Sequence, residues 1–110
     1  MQNKAHSVSA EIVNLIEATV REAMMPFGLQ AVRVRGGEDH DGDPVIFVDV
    51  DHAFSENPID PAALSALLNT VRDLLWDAGE LRFPHIWHHF DEHQQVKERP
   101  HRKAHRKVAT

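Results

Sequence analysis

Two stretches of alternating hydropathy flank a short loop of acids and glycines, and this limits the fold more than any other feature. In "LQAVRVR", Val32 and Val34 point one way and Arg33 and Arg35 the other. In "PVIFVDVDHAF", Ile46, Val48, Val50 and Phe54 share one face, and Val45, Phe47, Asp49 and Asp51 share the opposite one. Period-two alternation marks strands covered by a core on one side only. Between them "GGEDHDGD" offers Gly36, Gly37 and Gly42 for positive φ, so the spacing predicts an antiparallel hairpin. Such a hairpin needs other elements to cover its apolar face.

Two helical stretches supply them. In "SVSAEIVNLIEATVREAMMPFG", Ile12, Ile16, Val20 and Ala23 recur at helical spacing. Ser9 stands at the N-cap position, Val8 and Val13 have the spacing of a hydrophobic staple, and Pro26 with Gly28 stops the helix. In "NPIDPAALSALLNTVRDLLWDAG", Asp60 is the N-cap, Pro61 the first helical residue, and Gly79 the stop. Leu64, Leu67, Leu68, Val71, Leu74, Leu75 and Ala78 trace its apolar face. "LRFPHIWHHF" then predicts a third strand starting after Pro84. The order is α-β-β-α-β, an α+β domain over residues 1–96 with an antiparallel three-stranded sheet and two helices packed on one face. That topology is half-ferredoxin-like or KH-like, an analogy that carries no function.

Residues 97–110 behave differently. They hold Lys97, Arg99, Arg102, Lys103, Arg106 and Lys107 against Glu98, a net +5, so the overall −5 leaves −10 on the first 96 residues. An acidic body with a basic tail is an interaction signature. Arg99, Arg102, Lys103, Arg106 and Lys107 suit an acidic protein partner, or phosphates at low salt. The tail has no aromatic residue to stack on bases. Nucleic-acid binding is therefore expected to be at most weak. There is no cysteine, no charged-then-apolar leader and no run of about 18 apolar residues, which points to a cytoplasmic chain that does not enter membranes.

"RVRGGEDHDGDPVIFVDV" and "RDLLWDAGELRFPHIWHHF" together resemble a group of short uncharacterised bacterial proteins in which a charged-loop hairpin precedes an amphipathic helix and an "FP" strand. The likeness spans roughly residues 29–90. It implies the same fold and, since the group carries no established activity, assigns no catalytic residue.

Chemistry has few footholds. Glu38, Asp39, Asp41 and Asp43 crowd the hairpin loop, but an EF-hand frame starting at Asp39 puts Pro44 at position 6 and Val50 at position 12. A solvated turn suits these residues better than a calcium loop. Asp49 and Asp51 lie on one strand face opposite Arg33 and Arg35, the ordinary pattern of cross-strand charge pairs. His85, Trp87 and His89 share one face of the third strand, and Ile86, His88 and Phe90 the other. A helical turn after Phe90 would set His89 and His93 four residues apart on one face, a metal-chelating spacing to which Asp91 or Glu92 could add an oxygen. No nucleophile elbow, phosphate loop or HExxH pattern is present.

These features predict a small non-catalytic binding or regulatory protein with no cofactor, acting as a homodimer or as the small subunit of a complex, in the manner of an antitoxin. The contact surface is expected around Val45, Phe47, Trp87, His85 and His89 on the bare sheet face. The competing class is a metal-binding protein or metal-dependent enzyme using Asp39, Asp41, Asp43, His89 and His93.

Overall fold

A computed structural model of the chain describes residues 6–97. The elements follow the expected order: α1 (Ala10–Met24), a 3-10 turn (Met25–Phe27), β1 (Leu29–Glu38), β2 (Pro44–His52), α2 (Pro61–Asp77) and β3 (Phe83–His89). The basic tail from Glu98 onward lies outside the described residues.

Both helices start at the predicted caps. The Ser9 hydroxyl accepts the Ile12 N–H at 3.2 Å, and the Asp60 carboxylate accepts the Ala62 N–H at 3.0 Å with Pro61 at the first helical position. Each satisfies an amide that the first turn leaves without an intrahelical partner. At the far end of α2 the Gly79 N–H bonds the Trp76 carbonyl and the Glu80 N–H bonds the Leu75 carbonyl, at 3.0 and 2.8 Å. This paired pattern is a Schellman closure.

β1 and β2 form the expected antiparallel hairpin, with Val32 opposite Val50 and Val34 opposite Val48. β3 departs from expectation. It lies on the other side of β2 and runs parallel to it, with Phe47 opposite His85 and Asp49 opposite Trp87. The sheet is therefore mixed, not antiparallel. The reason is α2, which carries the chain back along the sheet, so that β2-α2-β3 is a crossover unit. Pro84 lies inside β3 instead of before it, which an edge strand tolerates because one side of its backbone needs no partner.

The core forms where α1 and α2 cover one sheet face. Ile12, Ile16, Val20 and Met24 of α1 and Leu67, Val71 and Leu75 of α2 pack with Val32, Ile46, Val48 and Val50. Phe54 does not join them: β2 ends at His52, and Phe54 is half exposed in the following loop. Gly36 and Gly37 belong to β1, not to the turn. Gly37 serves close approach, since a Cβ there would sit 2.6 Å from the Phe47 ring. Only Gly42 of the predicted loop glycines has positive φ, +87°.

Candidate functional site

The sheet face away from the helices is the surface that sequence reasoning singled out, and the register fixes its layout. β1 contributes Arg33 and Arg35, β2 contributes Val45, Phe47, Asp49 and Asp51, and β3 contributes Phe83, His85, Trp87 and His89. Alternation places each of these opposite the core-facing residues of its own strand.

The charged groups on this face pair diagonally. Arg33 is directly opposite Asp49 but binds the carboxylate of Asp51 with two guanidinium nitrogens. Arg35 reaches Asp49 at 3.9 Å while its guanidinium lies 4.5 Å above the Phe47 ring. Asp49 also meets Nε2 of His89 at 3.2 Å. The Arg33 bond holds the Asp51 carboxyl below the usual carboxylate range and raises Arg33 in turn. Asp49 and Asp51 are thus each paired with an arginine of β1.

The apolar groups divide. Trp87 is 57 % exposed and Phe83 43 %, whereas Val45 is only 2 % exposed. The expected exposed patch of Val45, Phe47 and Trp87 must be corrected at Val45, which is buried on the central strand, with Gly37 and Phe83 as its register partners. Phe47 is half-buried, wedged against Gly37, under Arg35 and 5.8 Å from the His85 ring. Trp87 is the protruding anchor. Phe83 stands on the same face, at the start of β3 and not before it.

The structure does not bring the candidate metal ligands together. Asp39 spends one carboxylate oxygen on the N–H groups of Asp43 and Asp41, each at 2.9 Å, and the Asp43 bond leads in keeping its carboxyl below the usual range. This closes the hairpin turn in the manner of an Asx motif. Asp41 and Asp43 face solvent. The chain after Phe90 makes a short turn and not a helix, so His89 and His93 do not stack at helical spacing; His93 pairs with its neighbour Glu92 at 3.3 Å. Among the described residues no group of three or more His, Asp or Glu side chains is arranged to hold a metal ion. Of the basic tail, Lys97 alone is described, its ammonium 4.0 Å from Asp60. Arg99, Arg102, Lys103, Arg106 and Lys107 lie outside the described residues.

Sequence reasoning missed one constellation. On the core side of the sheet His52 is buried and bonded to His88, with Phe90 against both rings. The phase of alternation held the clue. His52 continues the core-facing series of Ile46, Val48 and Val50, and His88 shares the phase of Ile86.

No helix among the described residues is long and apolar enough to cross a membrane. Comparison of the chain with protein-family models, with curated proteins and with solved structures finds no match.

Proposed function

We propose that this is a small protein-binding protein without catalytic activity, and that the occupant of its uncovered sheet face is a second copy of the chain. The observation that carries the reading is the layout of that face. An arginine column lies along one edge, an aromatic and imidazole column along the other, and paired carboxylates between them. A copy turned by half a rotation about the strand direction sets Arg33 and Arg35 over the partner's β3, where Trp87 offers its ring to a guanidinium. The face has two arginines against two aspartates, so two copies meet without net charge repulsion at neutral pH. Its exposed aromatic residues, Trp87 and Phe83, beside arginines are the residue types enriched in interface cores.

A face three strands wide is small. It lies at the low end of specific interfaces, about 1,200 Å² in total, so association in the micromolar range is expected. Sedimentation velocity across a hundredfold concentration series tests this. The expected result is a monomer–dimer equilibrium that Trp87→Asp shifts to monomer by at least about tenfold in Kd. A monomer throughout the series would refute self-association, and an unchanged equilibrium in Trp87→Asp would move the interface elsewhere.

A further inference from the structure

His52 is the one buried polar residue among those described, 5 % exposed at the end of β2. Its Nδ1 lies 2.8 Å from the Phe27 carbonyl oxygen, and its Nε2 lies 3.0 Å from Nδ1 of His88. A carbonyl only accepts, so the Nδ1 of neutral His52 carries the hydrogen and its Nε2 presents a lone pair. His88 must then donate from its own Nδ1. Phe90 closes the pair, its ring centroid 4.3 Å from His52 and 5.6 Å from His88, nearly parallel to the latter. The relay ties together the turn after α1, the end of β2 and the end of β3.

A strap begins at Phe90. Gln94 donates to the carbonyls of Ser55 and Asn57 and accepts the Ser55 N–H at 2.8 Å. The Ile59 N–H bonds the Gln95 carbonyl at 2.9 Å, and the Lys97 N–H bonds the Ile59 carbonyl at 2.7 Å. Asp91, Glu92, His93, Gln95 and Val96 are exposed. The strap is therefore held by hydrogen bonds and by its Phe90 anchor, with little apolar burial of its own, the profile of a segment that opens before the core does.

Acid acts on the anchor directly. A proton on Nε2 of His52 removes the acceptor of His88 and sets two N–H groups against each other. A proton on Nε2 of His88 keeps the bond but places a cation in a half-buried site against Phe90. The charged and polar groups around the pair, on either face of the sheet, offer little relief. From β2, Asp51 acts on His52 but is held by Arg33. From β3, His89 adds a like charge. From the turn after α1 comes the Phe27 carbonyl, already bonded. On the strap, Glu92 pairs with His93 and Asp91 caps the His93 N–H at 2.8 Å. Among the described residues no carboxylate makes an ion pair with either ring. Burial first, then His52 and His89, accordingly lowers His88 to about 4.

We propose that the His52–His88 pair is an acid-released latch: neutral, it anchors the strap over residues 90–97; protonated, it frees the strap while helices and hairpin stay folded. The proposal is independent of what occupies the open sheet face, which lies on the other side of the sheet.

Amide hydrogen exchange followed by NMR at pH 7 and pH 4.5, corrected for intrinsic rates, tests it. Protection at Ile59 and Lys97 is expected to fall at least about tenfold more than at Val48 and Val50. In His88→Asn, whose amide can still donate to His52 but does not titrate, this extra loss disappears. Strap and core losing protection in parallel, or the full acid response persisting in His88→Asn, would overturn the latch. Imidazole nitrogen shifts of the wild-type protein decide independently of whether that variant folds. Both rings are expected as the Nδ1–H tautomer at pH 7, and an Nε2–H tautomer on either ring contradicts the proposal.

Discussion

Gly28 holds the seam between the first helix and the sheet. Its φ is +73°, and a Cβ built on it would sit 2.3 Å from the Ala53 carbonyl oxygen, on a loop whose Ala53 N–H bonds the Gly28 carbonyl at 2.7 Å. Alanine there meets both a left-handed backbone and a backbone atom, whereas at Gly42, φ +87°, it meets open space. Gly28→Ala should therefore cost about 3 kcal/mol or more and Gly42→Ala about 1 kcal/mol, measured by urea denaturation. Equal costs would contradict the packing of this seam. His88 supplies a second residue-scale effect, with a definite sign. Its imidazole titrates near 6.5 when unfolded and at about 4 when folded, so the unfolded chain binds more protons between those values. The stability it contributes is complete above about pH 6.5 and is lost as pH falls towards 4. For a partly exposed ring, solvent screening leaves about 1–2 kcal/mol of this. Asp39, Asp51 and Glu80, whose carboxyls are lowered, act in a lower window, losing their contribution as pH falls below the ordinary carboxylate range. Denaturation midpoints should rise from pH 4 to 6.5 in the wild type and rise less in His88→Asn.

At the scale of elements, what could be read from the chain was local. The caps at Ser9 and Asp60, the stops at Gly28 and Gly79, and the hairpin phase of Val32, Val34, Ile46, Val48 and Val50 follow from neighbouring residues, and the structure has each of them. The misses are relations between distant parts. Alternation within "FPHIWHH" assigns faces correctly but is identical for parallel and antiparallel pairing, so only the α2 crossover decides the direction of β3. The register partner of Val45 on β3 is Phe83, 38 positions further on, and the bond from His52 to His88 spans 36. Hydropathy phase alone could not pair them. Nor could it show that Phe83, not Val45, joins Trp87 in the exposed part of the face. α2 gives the element-scale test. Asp60→Ala should cost about 1 kcal/mol, by leaving the Ala62 N–H without its cap, and Leu75→Ala about 3 kcal/mol, by opening a cavity under the helix. Both are measurable by thermal or urea denaturation. A smaller cost for Leu75→Ala than for Asp60→Ala would mean that α2 is not packed on the sheet as described.

The whole molecule is two-layered and one-sided. Both helices cover the same face of three strands, and the other face keeps Trp87 and Phe83 in contact with solvent beside arginines and imidazoles. The side chains there already balance one another's charge, which makes the face fit to meet a surface like itself and poorly suited to a strongly charged ligand. Phe47 is too deeply wedged to be a clean probe, since Phe47→Glu would cost folding as well as association; Trp87, which protrudes, separates the two. The most direct measurement is sedimentation equilibrium at pH 7 of the wild type beside Trp87→Asp, with urea midpoints recorded for both. The account predicts a concentration-dependent dimer in the wild type and, in the variant, association weakened at least about tenfold with unchanged stability. A wild-type protein that stays monomeric at hundreds of micromolar, or a dimer untouched by Trp87→Asp, would contradict it.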